Sequence, residues 1–199
     1  APDAEARRAA TAALAQGLDR AARLVEQLLA LARHEPGAPP LPAAPLDLAE
    51  VARTALADTV PLALARGTAI TLQADRPVPL QGDATALALM VRNLVDNALR
   101  HGPPGSAVEV RVDAGPDGPR LQVDDAGGGI PVADRERVFD RFYRRAPGET
   151  EGSGLGLAIV RGIAEQHGAR VTLGESPLGG LRATVQFPAD RGAPAAPAP

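Results

Sequence analysis

A two-layer α+β sandwich, with helices on one face of a mixed sheet, is the fold class this sequence predicts, and three observations predict it. Strand-like stretches come as hairpins: "AVEVRVDA" and "RLQVDDA" alternate apolar and polar residues about the turn "GPDGP", and "RVTLGES" and "LRATVQF" flank "PLGG". Between them lie stretches of helical period, the clearest placing Leu87, Val91, Leu94, Val95 and Ala98 on one arc. Strands grouped in hairpins rather than strict βαβ units favour segregated helices over a parallel doubly wound sheet. At 199 residues the chain is long enough for one such core with an appended element.

The elements follow in order. Residues 5–35 read as one helix, because Leu14, Leu18, Ala21, Val25, Leu28 and Ala32 recur at alternating steps of four and three, a heptad seam. Leu24, Leu29 and Leu31 widen that seam, so the helix calls for a partner helix; packing on its own domain is the plainer alternative. The prolines of "PGAPPLPAAP", 36–45, end the helix and favour an extended linker. The region 46–188 then holds the compact unit. Asp47 and Glu50 have capping-box spacing and open a helix running toward Arg66. "TAITLQA", 68–74, reads as a strand, and Gly82 and Asp83 start the helix with the apolar arc. Further helices are expected near 132–140 and 154–167, each before a polar or strand-like stretch. The tail 189–199, "ADRGAPAAPAP", is low in complexity and reads as disordered.

Composition removes several functions. Aromatic residues make up 2% of the chain, so aliphatic side chains must fill the core. A net charge of -3 supplies no basic field, and nucleic acid is not expected as a partner. With no cysteine there are no disulfides, thiolate metal sites or cysteine nucleophiles. No apolar run approaches the roughly 20 residues that span a bilayer.

Three stretches carry chemistry. In "NLVDNALRHG", Asn93 and Asn97 lie one helical turn apart, beside the apolar arc. Asn is a poor helix former, so a pair of them asks for a reason beyond helix stability. In "DDAGGGIP", three consecutive glycines follow a strand, and Asp125 just before them could accept a hydrogen bond from an exocyclic amine. A flexible turn with a capping acid is the bland reading of the same residues. In "EGSGLGLAIV", Gly152, Gly154 and Gly156 alternate with larger residues immediately before a helix, an arrangement suited to phosphate. Neither the Walker pattern nor a dinucleotide fingerprint fits this last stretch. Between the second and third lies "VFDRFYRRAPGETE", which concentrates Phe139, Phe142 and Tyr143 and reads as a mobile lid on aromatic anchors, or as a plain surface loop with an apolar foot.

The order and spacing of "NLVDNALRHG", "DDAGGGIP", "FDRFYRR" and "GSGLGLAIV" resemble the N, G1, F and G2 boxes of the catalytic ATP-binding domain of bacterial sensor histidine kinases. The likeness covers 46–188, and "GLDRAARLVEQLLALAR" looks like the second helix of that family's dimerisation hairpin, which assigns 1–35 to that hairpin. The resemblance implies the Bergerat-type ATP-binding fold of the gyrase, Hsp90, histidine kinase and MutL superfamily. It implies ATP and Mg²⁺ as cofactors, with Asn97 as metal ligand and Asn93 beside it. Arg100 and His101 would face the phosphates, Asp125 would receive the adenine amino group, and Gly127, Gly129 and Ile130 would line its approach. Gly152, Gly154, Leu155, Gly156 and Leu157 would border the phosphates, with Arg144 reaching the γ-phosphate from the lid.

One residue type separates branches of that superfamily. The water-activating ATPases place a glutamate where Asn93 stands, and a neutral amide is no general base. Phosphoryl transfer is therefore expected over hydrolysis. The alternatives are a serine kinase of the anti-sigma type, against which the leading helix and linker argue, and a degenerate nucleotide-binding module. The family's acceptor histidine has no match: His34 and His167 read as helix C-terminal cations, and His101 belongs to the asparagine motif. The sequence is thus expected to be a fragment that binds Mg·ATP without phosphorylating itself. Expected partners are a second copy of the kinase and a response-regulator receiver domain. The expected location is cytoplasmic, with the membrane engaged only through segments outside this sequence.

Overall fold

The computed structural model describes residues 43–143 and 153–189, together with Arg7. The expected hairpin helix therefore lies outside the described residues apart from Arg7, as do most of the linker, Arg144, Gly152 and the tail beyond Ala189.

Five strands form the main sheet: β2 (Ala69–Gln73), β4 (Ala107–Gly115), β5 (Gly118–Asp124), β6 (Arg170–Glu175) and β7 (Leu181–Gln186), in the spatial order β2-β4-β5-β7-β6. β2 and β4 run parallel, and the other neighbours are antiparallel, so the sheet is mixed. Alternation fixes its two faces. Val108, Val110, Val112, Leu121, Val123, Ala183 and Val185 point to the helices and are buried. The opposite face is polar and cross-linked: Arg120 pairs with Asp113, and Arg182 grips both carboxylate oxygens of Asp124 at 2.8 and 3.0 Å.

Four helices cover the apolar face: α1 (Leu48–Ala57), α2 (Val60–Arg66), α3 (Ala84–His101) and α4 (Gly156–Gln166). α3 is central, burying Leu87, Met90, Val91, Leu94, Val95, Ala98 and Leu99. The scarcity of aromatics leaves Phe187 as the sole fully buried ring among the described residues, and aliphatic chains supply the rest. No helix among the described residues is long and apolar enough to cross a membrane.

Four features depart from the sequence reading. The single helix expected from Asp47 to Arg66 is two, because Pro61 has no N–H to give the carbonyl of Ala57, and the chain restarts at Thr59. Asp47 does cap α1, accepting from the Ala49 N–H at 2.9 Å, while Glu50 turns outward to Arg53 instead of closing the capping box. The helix expected near 132–140 is a pair of 3₁₀ turns, Val132–Asp134 and Arg137–Phe139, with Phe139 their one buried side chain; without an apolar stripe there is little to hold an α-helix. Finally, Ala44 and Pro45, linker by composition, begin strand β1 (Ala44–Asp47), which pairs with β3 (Pro79–Gly82), a strand with no period of its own.

Candidate functional site

The three chemical stretches converge on α3. Asn93 is buried at 8% exposure, and its Nδ2 donates to the Leu89 carbonyl one turn back at 2.8 Å. Its Oδ1 lies 3.3 Å from where a Cβ on Gly156 would stand, so the start of α4 abuts the first asparagine. Asn97, one turn on, is half-buried, and its carboxamide has no hydrogen-bond partner among the described residues. At the far end of α3, the His101 carbonyl lies 2.8 Å from a Cβ placed on Gly127, which brings the glycine turn against the helix terminus.

Asp125 sits at the floor of that turn, 4% exposed. Its Oδ1 accepts from the N–H of Gly127 at 2.8 Å and of Leu181 at 2.9 Å, which leaves Oδ2 for a donor from outside the chain. Burial pushes this carboxyl above its ordinary range, while the bonds from Leu181 and Gly127 and the charge of His101 pull it back in part. The glycines have separate duties. Gly127 is held close by its own chain, Gly129 adopts φ 65°, and a Cβ on Gly128 would meet nothing within 4 Å.

The second glycine stretch closes the other side. Gly154 has φ 67°, and its carbonyl accepts from Phe142 N–H at 3.0 Å, tying the aromatic segment to the start of α4. Phe142 pays for this turn with a left-handed φ of 62° and stands 64% exposed. Phe139 by contrast is buried, with the Arg161 guanidinium 4.2 Å above its ring. Asp47 and Asp83 cap α1 and α3 with their carboxylates, but the N-cap of α4 is Leu155, which offers no side-chain bond. The Leu155 N–H reaches Ser153 Oγ at 3.3 Å, and the first-turn N–H groups of Gly156 and Leu157 follow it at the start of the helix. A helix N-terminus against Asn93 and a buried carboxylate beyond the other end of α3 offer donors to an anion and an acceptor to a base.

The family described as histidine kinase-, DNA gyrase B-, and HSP90-like ATPase matches residues 82–191, which span α3, both glycine stretches and α4. The chain belongs to this family. Within it the likeness is to sensor histidine kinases, and the domain is an ATP-binding one. The swarming motility regulation sensor protein RssA of Serratia marcescens is 38% identical over 161 residues, 80% of this chain and 34% of that protein. Among solved structures, the mycobacterial sensor histidine kinase MprB superposes with a TM-score of 0.64 at 32% identity, covering 73% of this chain and 97% of that one. The full-length ShkA in complex with AMPPNP gives a TM-score of 0.76 at 28% identity, covering 91% of this chain and 38% of that one. The chain spans 34% to 40% of the length of the curated relatives RssA and Escherichia coli QseC.

Among the residues expected at the kinase site, Asn93, Gly154, Leu155 and Gly156 meet at one end and His101, Asp125, Gly127 and Gly129 at the other. Ile130 leads out of the turn, its carbonyl accepting from Arg135 Nε at 3.1 Å, and Arg100 lies in the last turn of α3. Arg144 and Gly152 lie outside the described residues. Two residues escaped the sequence reading. Gly180 was legible only as part of the turn "PLGG", yet a Cβ there would collide with Asp125 Oδ1 and the Gly127 nitrogen. His167 is no helix-terminal cation: its Nε2 accepts the Asp83 N–H at 3.1 Å, so that nitrogen carries no proton.

Proposed function

We propose that this domain binds Mg·ATP between α3, the 124–131 turn and the start of α4, and serves as the kinase module of a two-component sensor. The γ-phosphoryl group would go to a histidine on the dimerisation hairpin and then to an aspartate of a response-regulator receiver domain, with a second copy of the kinase as partner. The observation that carries this reading is the chemistry at Asn93. Its amide hydrogen is engaged by the Leu89 carbonyl, and the neutral group has no basic lone pair with which to take a proton from water. Phosphoryl transfer asks the protein for positioning and charge stabilisation more than for acid–base work.

The described residues fit a magnesium ion in a limited way. No group of three His, Cys, Asp or Glu side chains among them could hold a metal ion, so a divalent cation here needs oxygens from the nucleotide itself. Asn97, one helical turn beyond Asn93, would supply one amide oxygen to such an ion. When bound, the ion neutralises phosphate charge and orients the terminal group. Asp125 would receive the adenine amino group on Oδ2, and the α4 first-turn N–H groups with Arg100 and His101 would serve the phosphates, a role the family resemblance extends to Arg144.

Calorimetry with AMPPNP tests the reading: binding should depend on Mg²⁺ in the natural chain and lose that dependence in Asn97→Ala. Equal affinity with and without the ion in both proteins would overturn the metal assignment. With ATP alone the 199-residue chain should form no acid-labile phosphohistidine, and a hairpin bearing the acceptor histidine, added in trans, should become labelled.

A further inference from the structure

Helices α3 and α4 run antiparallel, with Asn93 and Gly156 meeting at one end. From Asn93 back to Asp83, and from Gly156 on to His167, each helix advances about 15 Å at 1.5 Å per residue. The far ends therefore meet as well, and one side chain joins them. His167 at the C-cap of α4 has Nδ1 2.8 Å from the Ile163 carbonyl and Nε2 3.1 Å from the Asp83 nitrogen at the N-cap of α3. The tautomer follows from the partners. Asp83 N–H can only donate, so Nε2 accepts; the Ile163 carbonyl can only accept, so Nδ1 carries the proton.

The ring is enclosed as well as bonded. A Cβ on Gly82 would lie 2.7 Å from His167 Cδ2, so the glycine lets the imidazole lie flush on β3. On another side Phe187 meets it edge to face at 6.5 Å between centroids. An axial slide of α4 along α3 by one residue, about 1.5 Å, would break the bond to Asp83 and drive the ring into the Gly82 backbone. The same slide would shift the start of α4 relative to Asn93, against which Gly156 stands.

We propose that His167 is a positioning residue, a neutral imidazole that fixes the axial register of α4 on α3 and thereby the spacing between the phosphate-facing helix end and the asparagine pair. This rests on the nucleotide reading above. It separates two demands on the site: the purine floor, built on β5 and β7, does not depend on the register of α4, whereas the triphosphate does.

The test uses the full chain with His167→Leu, which keeps the apolar contact with Phe187, and His167→Gln, whose amide oxygen can still accept from Asp83. Affinity for Mg·AMPPNP should fall about tenfold in the Leu variant, the factor one hydrogen bond is worth, and recover to within about threefold in the Gln variant. Affinity for adenosine, read by ligand-observed NMR, should stay level in both. A joint fall for adenosine and AMPPNP, or no change in the Leu variant, would overturn the proposal. If the Leu variant does not fold, long-range ¹H–¹⁵N correlation on the natural chain decides, since protonated Nε2 is incompatible with the clamp. Failure of the natural chain to bind AMPPNP at all would instead remove the nucleotide reading, and the positioning role with it.

Discussion

The two ends of the site are built differently. At the turn end, Asp125 Oδ1 is saturated by two backbone N–H groups, Gly180 has no room for a Cβ, and Gly127 lies against the His101 carbonyl. Every close approach there is made by the chain to itself. At the α4 end, the Asn97 carboxamide has no partner among the described residues, and the N-cap residue Leu155 has no side chain that can cap the helix. Folding satisfies the first half except for Asp125 Oδ2, and leaves the Asn97 carboxamide of the second open. The contrast means that mutations at the turn end should register in stability, with binding affected too at Asp125, and those at the α4 end in binding alone.

Gly180→Ala should give the largest effect, because its new methyl overlaps Asp125 Oδ1 and backbone that cannot yield. A loss of about 3 kcal/mol is expected, read as a depressed midpoint in denaturant. An unchanged midpoint would erase the distinction between the two ends. Next comes Asp125→Ala, which strands the buried N–H group of Leu181 and the part-buried one of Gly127. It should cost about 2–3 kcal/mol of stability and about 100-fold in nucleotide affinity. Asn97→Ala sharpens the comparison from the other side: stability within about 0.5 kcal/mol of the natural chain, but Mg-dependent affinity reduced about tenfold or more. Phe142→Gly should be the smallest, a gain of about 1 kcal/mol from relief of the left-handed backbone, measured by thermal unfolding.

The raised carboxyl of Asp125 adds a pH signature with opposite signs in the two readouts. For stability, the fold favours the protonated form, so its contribution is full below the ordinary aspartate range and is lost as pH rises through the raised value. For binding, the ionised form is the better acceptor of the adenine amine, so nucleotide affinity should climb through the same window and level off above it. Titrations of both quantities in the natural chain and in Asp125→Asn check this; parallel slopes in the natural chain would contradict the assignment of Oδ2 to the base.

Much of the architecture was readable from period alone. The alternation in 107–124 and 170–186 gave the four central and edge strands, and the apolar arc of 84–101 gave the central helix, because burying one face imposes its period on the residues. What failed failed for local reasons. Pro61 divided a helix whose apolar residues continue across the break, and β3, four residues with Pro79 at its start, has too little alternation to read. The expected helix at 132–140 resolved into 3₁₀ turns because only Phe139 finds the core. In the site, the asparagines and glycines stood out as residue types that are costly where they occur. Gly180 and His167 did not, since a glycine in a turn and a histidine at a helix end are unremarkable until their neighbours are known.

Sequence by itself determined which residue types could serve a nucleotide and which chemistry Asn93 rules out, because an amide's lack of basicity does not depend on where it sits. It also determined the faces of the sheet and of α3, since a period of 2 or 3.6 leaves one way to bury the apolar set. Only the tertiary structure decided which glycines are demanded by contact rather than by conformation, that Asp125 is pinned by β7, and that His167 is neutral and joins two helices. Those facts depend on atoms more than fifty residues apart in the chain, and no local pattern encodes a distance that packing alone creates.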